Sequence, residues 1–260
     1  PPFSTNKLAC GFDKSLGLTR DKVCIPSSPP GQIIFCNDDT VISARYQYKK
    51  KVQLWKKGSP YAASFSTAFT INVKRDAERS VKRVFGGGIA FAITPTIDVG
   101  ESGPESFGLF KIDDATGKPA SGTPNPKTLA VEIDTSRDED YSWDPQIPHV
   151  GLDINSVNSV KSRFLWNGTR FINRKVAVFI DYDAPKARLE VRVQKLSGSD
   201  TSRSVPDKTK AKLYLSYAPL RLSDLVEEYS YVGFSTRVPV EDHGDYFLTS
   251  WKFSSKWVAI

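Results

Sequence analysis

A period of two constrains this chain more than any other feature of its sequence. Over residues 63–73, Phe65, Phe69, Ile71 and Val73 recur on one side of the alternation, while Ser64, Ser66, Thr70 and Asn72 fall among the interleaved positions. Successive side chains of an extended strand point to opposite faces, so this pattern predicts a half-buried strand. Comparable short runs recur at 89–94, 107–112, 129–134, 150–154, 176–182, 189–193, 213–217, 231–236 and 246–253. Clusters of Gly, Pro, Asn, Asp and Ser separate them, as at 116–126 and 197–207. Only 222–228, opened by Ser223 or Asp224, reads as a short helical turn. Many evenly spaced strands without a long amphipathic helix predict an all-β antiparallel sandwich. No repeat and no Gly- or Ser-rich linker divides residues 1–260, so a single domain is expected.

Composition narrows the class further. With 39% hydrophobic and 25% charged residues, the chain has material for a core, which excludes disorder and collagen. No apolar run approaches the roughly 18 residues of a membrane span. Thirty-six Lys and Arg against 29 Asp and Glu leave +7. That charge lies in loops and strand edges such as Lys49-Lys50-Lys51 and Lys56-Lys57, where lysine also blocks edge-to-edge pairing. No nucleic-acid motif accompanies it, so no nucleic-acid partner is expected; anionic cell-wall polymers are. The three cysteines, Cys10, Cys24 and Cys36, all fall in residues 1–40, the N-terminal part of the same domain. One disulfide with one thiol left over is expected, and the sequence does not choose the pair. Asn167-Gly168-Thr169 is a glycosylation sequon, in keeping with a secreted context.

The chemistry concentrates between residues 128 and 153. Glu132 and Asp134 are two apart on a strand and share a face, with Val131 and Ile133 on the other. Asp144 and His149 then arrive from the loop and the start of the next strand. Two acids held side by side repel unless a cation lies between them. Three carboxylates and an imidazole suit a transition metal, and the all-oxygen remainder suits calcium. If Asp138 joins, four carboxylate charges balance two dications.

The runs Val131-Glu132-Ile133-Asp134-Thr135, Asp144-Pro145 and His149-Val150-Gly151-Leu152-Asp153-Ile154-Asn155-Ser156 strongly resemble the metal-binding segment of plant legume-type lectins. Further segments resemble the family in family order: Val52-Gln53-Leu54-Trp55, Ala63-Ser64-Phe65-Ser66-Thr67-Ala68-Phe69, Gly88-Ile89-Ala90-Phe91 with Pro95, Phe107-Gly108-Leu109-Phe110, Ile180-Asp181-Tyr182-Asp183, Tyr231-Val232-Gly233-Phe234-Ser235 and Ser250-Trp251-Lys252-Phe253. The His149 and Ile180 segments lean toward the lectin domains of plant lectin receptor-like kinases; the N-terminal cysteines depart from most seed lectins. The resemblance implies a jelly-roll-like, concanavalin A-like sandwich carrying Mn2+ and Ca2+ beneath a shallow sugar pocket. Glu132, Asp134, Asp144 and His149 match the manganese ligands. By the same resemblance Asp134 and Asp144 would bridge to calcium, which would also take the Ser136 carbonyl and the Asp138 side chain, and Ser159 matches a residue that often supports a metal-bound water.

The pocket departs from the family pattern. Gly87 stands where the family has a sugar-binding Asp, Gly103 matches the amide donor, Asp138 replaces an Asn, and Ser136 occupies the stacking position. An ionised Asp accepts but cannot donate hydrogen bonds. Tyr141 and Trp143 offer a replacement stacking surface, and Val240, Glu241 and Asp242 lie in the family's variable loop, 237–245. The expectation is a calcium- and manganese-dependent lectin domain with weak monosaccharide affinity and glycans or glycoproteins as partners. It is placed outside the cell, as a soluble apoplastic protein or a membrane-tethered receptor-kinase ectodomain, with the vacuole as the alternative, and a homodimer fits the family. A receptor for a nucleotide, peptide or lipid is the second reading. Glycoside hydrolysis is not expected: Glu132-Ile-Asp134-Thr-Ser136 lacks the second acid of the Glu-x-Asp-x-Glu pair that related hydrolases need.

Overall fold

Where the sequence alternates, burial alternates with it: Phe65, Phe69, Ile71 and Val73 are buried and Ser66 is exposed. The computed structural model describes residues 23–24, 33–35, 42–48, 50–75, 88–96, 107–110, 112–113, 118–119, 127–135, 145, 148–165, 174–197, 206–238 and 244–260. For 23–24, 33–35, 42–44, 74–75, 112–113, 118–119, 237–238 and 244–245 it describes the backbone alone. The strands in chain order are β1 (Val23–Cys24), β2 (Ile33–Phe35), β3 (Ile42–Gln47), β4 (Val52–Gln53), β5 (Tyr61–Arg75), β6 (Gly88–Thr94), β7 (Ile112–Asp113) and β8 (Lys118–Pro119). There follow β9 (Leu129–Asp134), β10 (His149–Ile154), β11 (Lys161–Phe164), β12 (Arg174–Asp183), β13 (Arg188–Lys195), β14 (Lys212–Tyr217), the helical turn α1 (Leu222–Leu225), β15 (Tyr229–Val238) and β16 (Gly244–Ala259).

One sheet runs β1-β2-β16-β5-β12-β13-β14 and the other β11-β10-β9-β6-β15-β3, with β4 also pairing β15; β7 and β8 form a small hairpin. Every pairing is antiparallel. The inner faces meet in one apolar core, as a sandwich requires. At its centre Phe234 of β15 packs edge-on against Phe69 of β5 at 4.9 Å and Trp251 of β16 at 5.0 Å, ring centre to ring centre. Burying each such ring contributes about 1.5–3 kcal/mol. Among the described residues no helix is long and apolar enough to cross a membrane.

Two sequence expectations need correction. Residues 107–110 form a buried turn rather than a strand, with φ of 53° at Phe107 and 65° at Gly108. Phe107, Leu109 and Phe110 cover Ala90, Ala92, Ala130 and Val157 on the outer face of the second sheet. A buried turn shows the same apolar run as a strand, which explains the misreading. In α1 the flanking cap residue is Arg221, without a side-chain cap bond, and Ser223 bonds its neighbour Asp224 instead.

Strand β11 had no sequence signal because all four of its residues are exposed. It forms an edge of one sheet, and its side chains reach to β14 at the edge of the other. Lys161 Nζ donates to the Ser216 carbonyl at 2.8 Å and Arg163 Nη1 to that of Leu213 at 3.3 Å. Side-chain donors thereby occupy carbonyls that an edge strand would otherwise offer to another chain.

Candidate functional site

Register places the acids. On β9, Leu129, Val131 and Ile133 enter the core, and on β10 so do Val150 and Leu152. The alternate residues must therefore point to the outer face of the sheet. Asp134 lies opposite His149, Glu132 opposite Gly151 and Ala130 opposite Asp153. On the other flank Glu132 lies opposite Ala90 and Asp134 opposite Gly88. Glu132, Asp134, His149 and Asp153 are all at most 4% exposed. Four titratable side chains are thus buried on one face, between neighbours that are small on the β6 side.

Gly151 makes the room. A methyl group added to it would overlap Ser159 Oγ and Glu132 Oε1 and lie 2.8 Å from Glu132 Cδ. Gly88 serves similarly, since a Cβ there would come within 2.5 Å of the Ile133 carbonyl oxygen and 2.7 Å of the Phe107 ring.

Polar contacts knit the cluster together. His149 Nε2 lies 2.9 Å from Glu132 Oε1. Ser159 Oγ lies 2.8 Å from the same oxygen and 2.6 Å from Asp153 Oδ1. One hydroxyl carries one proton and cannot donate to two carboxylates at once. Asp153 Oδ2 has no hydrogen-bond partner and is buried. Burial pushes the Asp153 carboxyl well above the usual carboxylate range, and the charge of Glu132 adds to it, while Ser159 opposes. Three buried carboxylates facing one imidazole need protons or cations to offset their repulsion.

The donor set suits divalent ions: carboxylate oxygens for calcium, oxygens with an imidazole for manganese. Among the described residues alone, no three His, Cys, Asp or Glu side chains are arranged to hold a metal. The remaining expected ligands, Ser136, Asp138 and Asp144, lie outside the described residues. What the structure brings together is therefore Glu132 and His149 in contact, Asp134 beside them in register, and Asp153 and Ser159 behind Glu132.

The expected pocket residues Gly87, Gly103, Tyr141, Trp143, Val240, Glu241 and Asp242 also lie outside the described residues, as do Asn167, Cys10 and Cys36. Cys24 is described through its backbone in β1 alone. Described neighbours do converge on one end of the sheet, because Gly88 is paired with Asp134 on one side and Arg237 on the other. Supports for that end carry no motif. Buried Arg45 donates to the Gly108 carbonyl at 2.7 Å and the Thr96 carbonyl at 3.3 Å. Ser235 donates to the Phe107 carbonyl and Thr236 to that of Gly88. Gly151 and Asp153 were missed as site residues in the sequence reading, although a lone Gly inside a strand does signal close approach.

The legume lectin domain family model matches residues 5–259. A lectin from Onobrychis viciifolia is 32% identical over 213 residues, which is 81% of this chain and 75% of that protein. Anti-H(O) lectin 2 from Ulex europaeus is 29% identical over 214 residues, 81% of this chain and 77% of that protein. Among solved structures, lectin UEA-II complexed with galactose superposes with a TM-score of 0.64 at 28% identity, covering 84% of this chain and 82% of that one. Legume lectins are non-enzymatic carbohydrate-binding proteins, in line with the single Glu on the Glu132–Ser136 segment. The strand order, the concanavalin A-like sandwich and the match along nearly the whole sequence make this chain a member of the legume lectin family.

Proposed function

We propose that this chain is one extracellular domain that binds glycans or glycoproteins in a calcium- and manganese-dependent manner. The supporting observation is the buried cluster of Glu132, Asp134 and Asp153, with His149 Nε2 2.9 Å from Glu132 Oε1. In this reading Glu132, Asp134, Asp144 and His149 hold manganese. Asp134, Asp144, Asp138 and the Ser136 carbonyl would hold calcium, with Ser159 and Asp153 steadying Glu132 from behind. Bound ions would supply positive charge that offsets the repulsion among the buried carboxylates.

Gly87 in place of an acceptor and Asp138 in place of a donor support weak binding of single sugars. Extended glycans, contacted also by residues 240–242, are then the better ligands. The sequon at Asn167 and the three cysteines Cys10, Cys24 and Cys36, read as one disulfide and one thiol, support a secreted protein. The His149–Ser156 and Ile180–Asp183 segments support an ectodomain of a lectin receptor-like kinase.

A glycan array probed in calcium and manganese, and again in chelator, tests the reading. Galactose-terminated glycans belong on it because the UEA-II complex holds galactose. Signal lost on chelation is expected, and a blank array under both conditions would overturn it.

A further inference from the structure

The acid cluster sits at one end of the sandwich, where Thr135 Oγ1 meets Tyr246 Oη at 2.5 Å and Tyr246 is paired with Val73. At the other end of β5 the backbone of Ala63 bonds to Leu54 and that of Ile260 to Pro60. At about 3.3 Å per residue, Tyr61 and Val73 are roughly 40 Å apart.

Four of the seven large apolar side chains exposed among the described residues, Tyr61, Tyr229, Trp257 and Ile260, stand at this far end. Two of them form a pair. Tyr61 is opposite Ala259 and Trp257 opposite Ala63, which puts both rings on one face as diagonal neighbours. Tyr61 is 51% exposed and Trp257 39%. Lone exposed apolar residues are ordinary, but a paired aromatic platform is not.

Lysines frame the platform. Lys56 and Lys57 occupy the exposed turn that leads from the Trp55–Ala62 bridge into Tyr61, whereas Lys256, opposite Ser64, falls on the other face of the sheet. Lys51 lies 5.3 Å above the Tyr231 ring in the next sheet. Of the acids at this end, Glu228 accepts from Gln53 at 2.8 Å and Asp183 from Lys186 at 2.7 Å, while Glu227 is exposed. Edge protection accounts for lysines at strand ends, but not for two half-exposed rings between them.

We propose that this surface is a second carbohydrate site, for a polysaccharide bearing uronate carboxylates. Tyr61 and Trp257 stack on apolar sugar faces, and Lys56 and Lys57 pair with the carboxylates. The surface is independent of the cation cluster and would let one domain grip two points of a wall polymer or glycan mesh.

The test uses the full chain with polygalacturonate in potassium buffer containing chelator. Chelator removes calcium bridging within the polymer and silences the metal-dependent pocket, so failure here is separable from failure of the glycan array. Calorimetry should show binding that weakens by about tenfold or more between low and physiological salt, as exposed charge pairs are screened. The double variants Tyr61→Ala with Trp257→Ala and Lys56→Glu with Lys57→Glu should each lose about tenfold or more in affinity. The lysine double variant should keep the parent melting temperature, because both of its side chains are exposed, so its loss of binding is not a loss of folding. Neutral galactan should bind at least tenfold more weakly. No binding to polygalacturonate at low salt, or binding that survives both double variants, would overturn the proposal. So would variant-sensitive binding to phosphatidylserine vesicles in the absence of polymer binding, which would identify the surface as a lipid contact.

Discussion

Replacing Gly151 with Ala probes the packing that makes room for the Glu132 carboxylate in the acid cluster. The added methyl would overlap both Ser159 Oγ and Glu132 Oε1, and the latter is held from the other side by His149 Nε2 at 2.9 Å. Ser159 can rotate away, but Glu132 cannot move without breaking that contact. Overpacking of this kind costs about 1–3 kcal/mol. Restricting the unfolded chain by Gly→Ala returns about 0.4–1 kcal/mol, which leaves a net loss of about 1–2 kcal/mol. For a chain of this length that lowers Tm by about 2–8 °C.

Displacing Glu132 should also weaken divalent-cation binding by about 10–100-fold, the usual effect of disturbing a ligand's support. Thermal melts of the chelated protein and calorimetric titration with manganese read the two effects separately. A control removes the obstacle: in a Glu132→Ala background, Gly151→Ala should cost about 1 kcal/mol less, because the pair is coupled through direct contact. Unchanged melting and unchanged manganese affinity in the single variant would refute the claim that the carboxylate lies over Gly151.

Chelation of the parent protein should lower Tm by several degrees, since a ligand at about 100 times its Kd stabilises by about 2.7 kcal/mol; an identical melt with and without chelator would count against bound cations. Phe234→Ala should cost about 3–5 kcal/mol, read as a lower urea midpoint, because the ring touches Phe69, Phe91 and Trp251 at the centre of the core. The metal-free protein should lose stability as pH rises from the ordinary Asp value of about 3.9 through the raised pKa of Asp153. The sign follows because the folded state then holds a proton that the unfolded state has released; Asp153→Asn should flatten this part of the profile, and an unchanged slope would show that another group governs it.

Much of the fold was legible because a strand buried on one face writes its period into the chain. Residues 129–134 were read with their observed limits, and 89–94, 176–182, 189–193, 213–217 and 231–236 each fall inside an observed strand. Legibility failed where burial and period part company. Lys161–Phe164 is a strand with every side chain exposed, and Phe107–Phe110 is apolar because it covers alanines on the outside of a sheet, not because it is a strand.

The site divides in the same way. Its charged residues could be picked out because two acids spaced by one residue must share a face whatever the strand's neighbours are. Arg45 left no trace, since its partners, Gly108 and Thr96, lie 63 and 51 residues away.

By itself, then, the sequence determined the antiparallel sandwich and the side of β9 on which Glu132 and Asp134 stand, because alternation is a property of local backbone geometry. Tertiary structure alone decided that this side is buried and that Gly151 and Ala90 flank Glu132. It also decided that Asp153 and Ser159 close behind it, and that Tyr61 and Trp257 remain open at the opposite end. Those outcomes depend on which strand lies beside which, and neighbours in a sheet are set by packing between segments far apart in the chain.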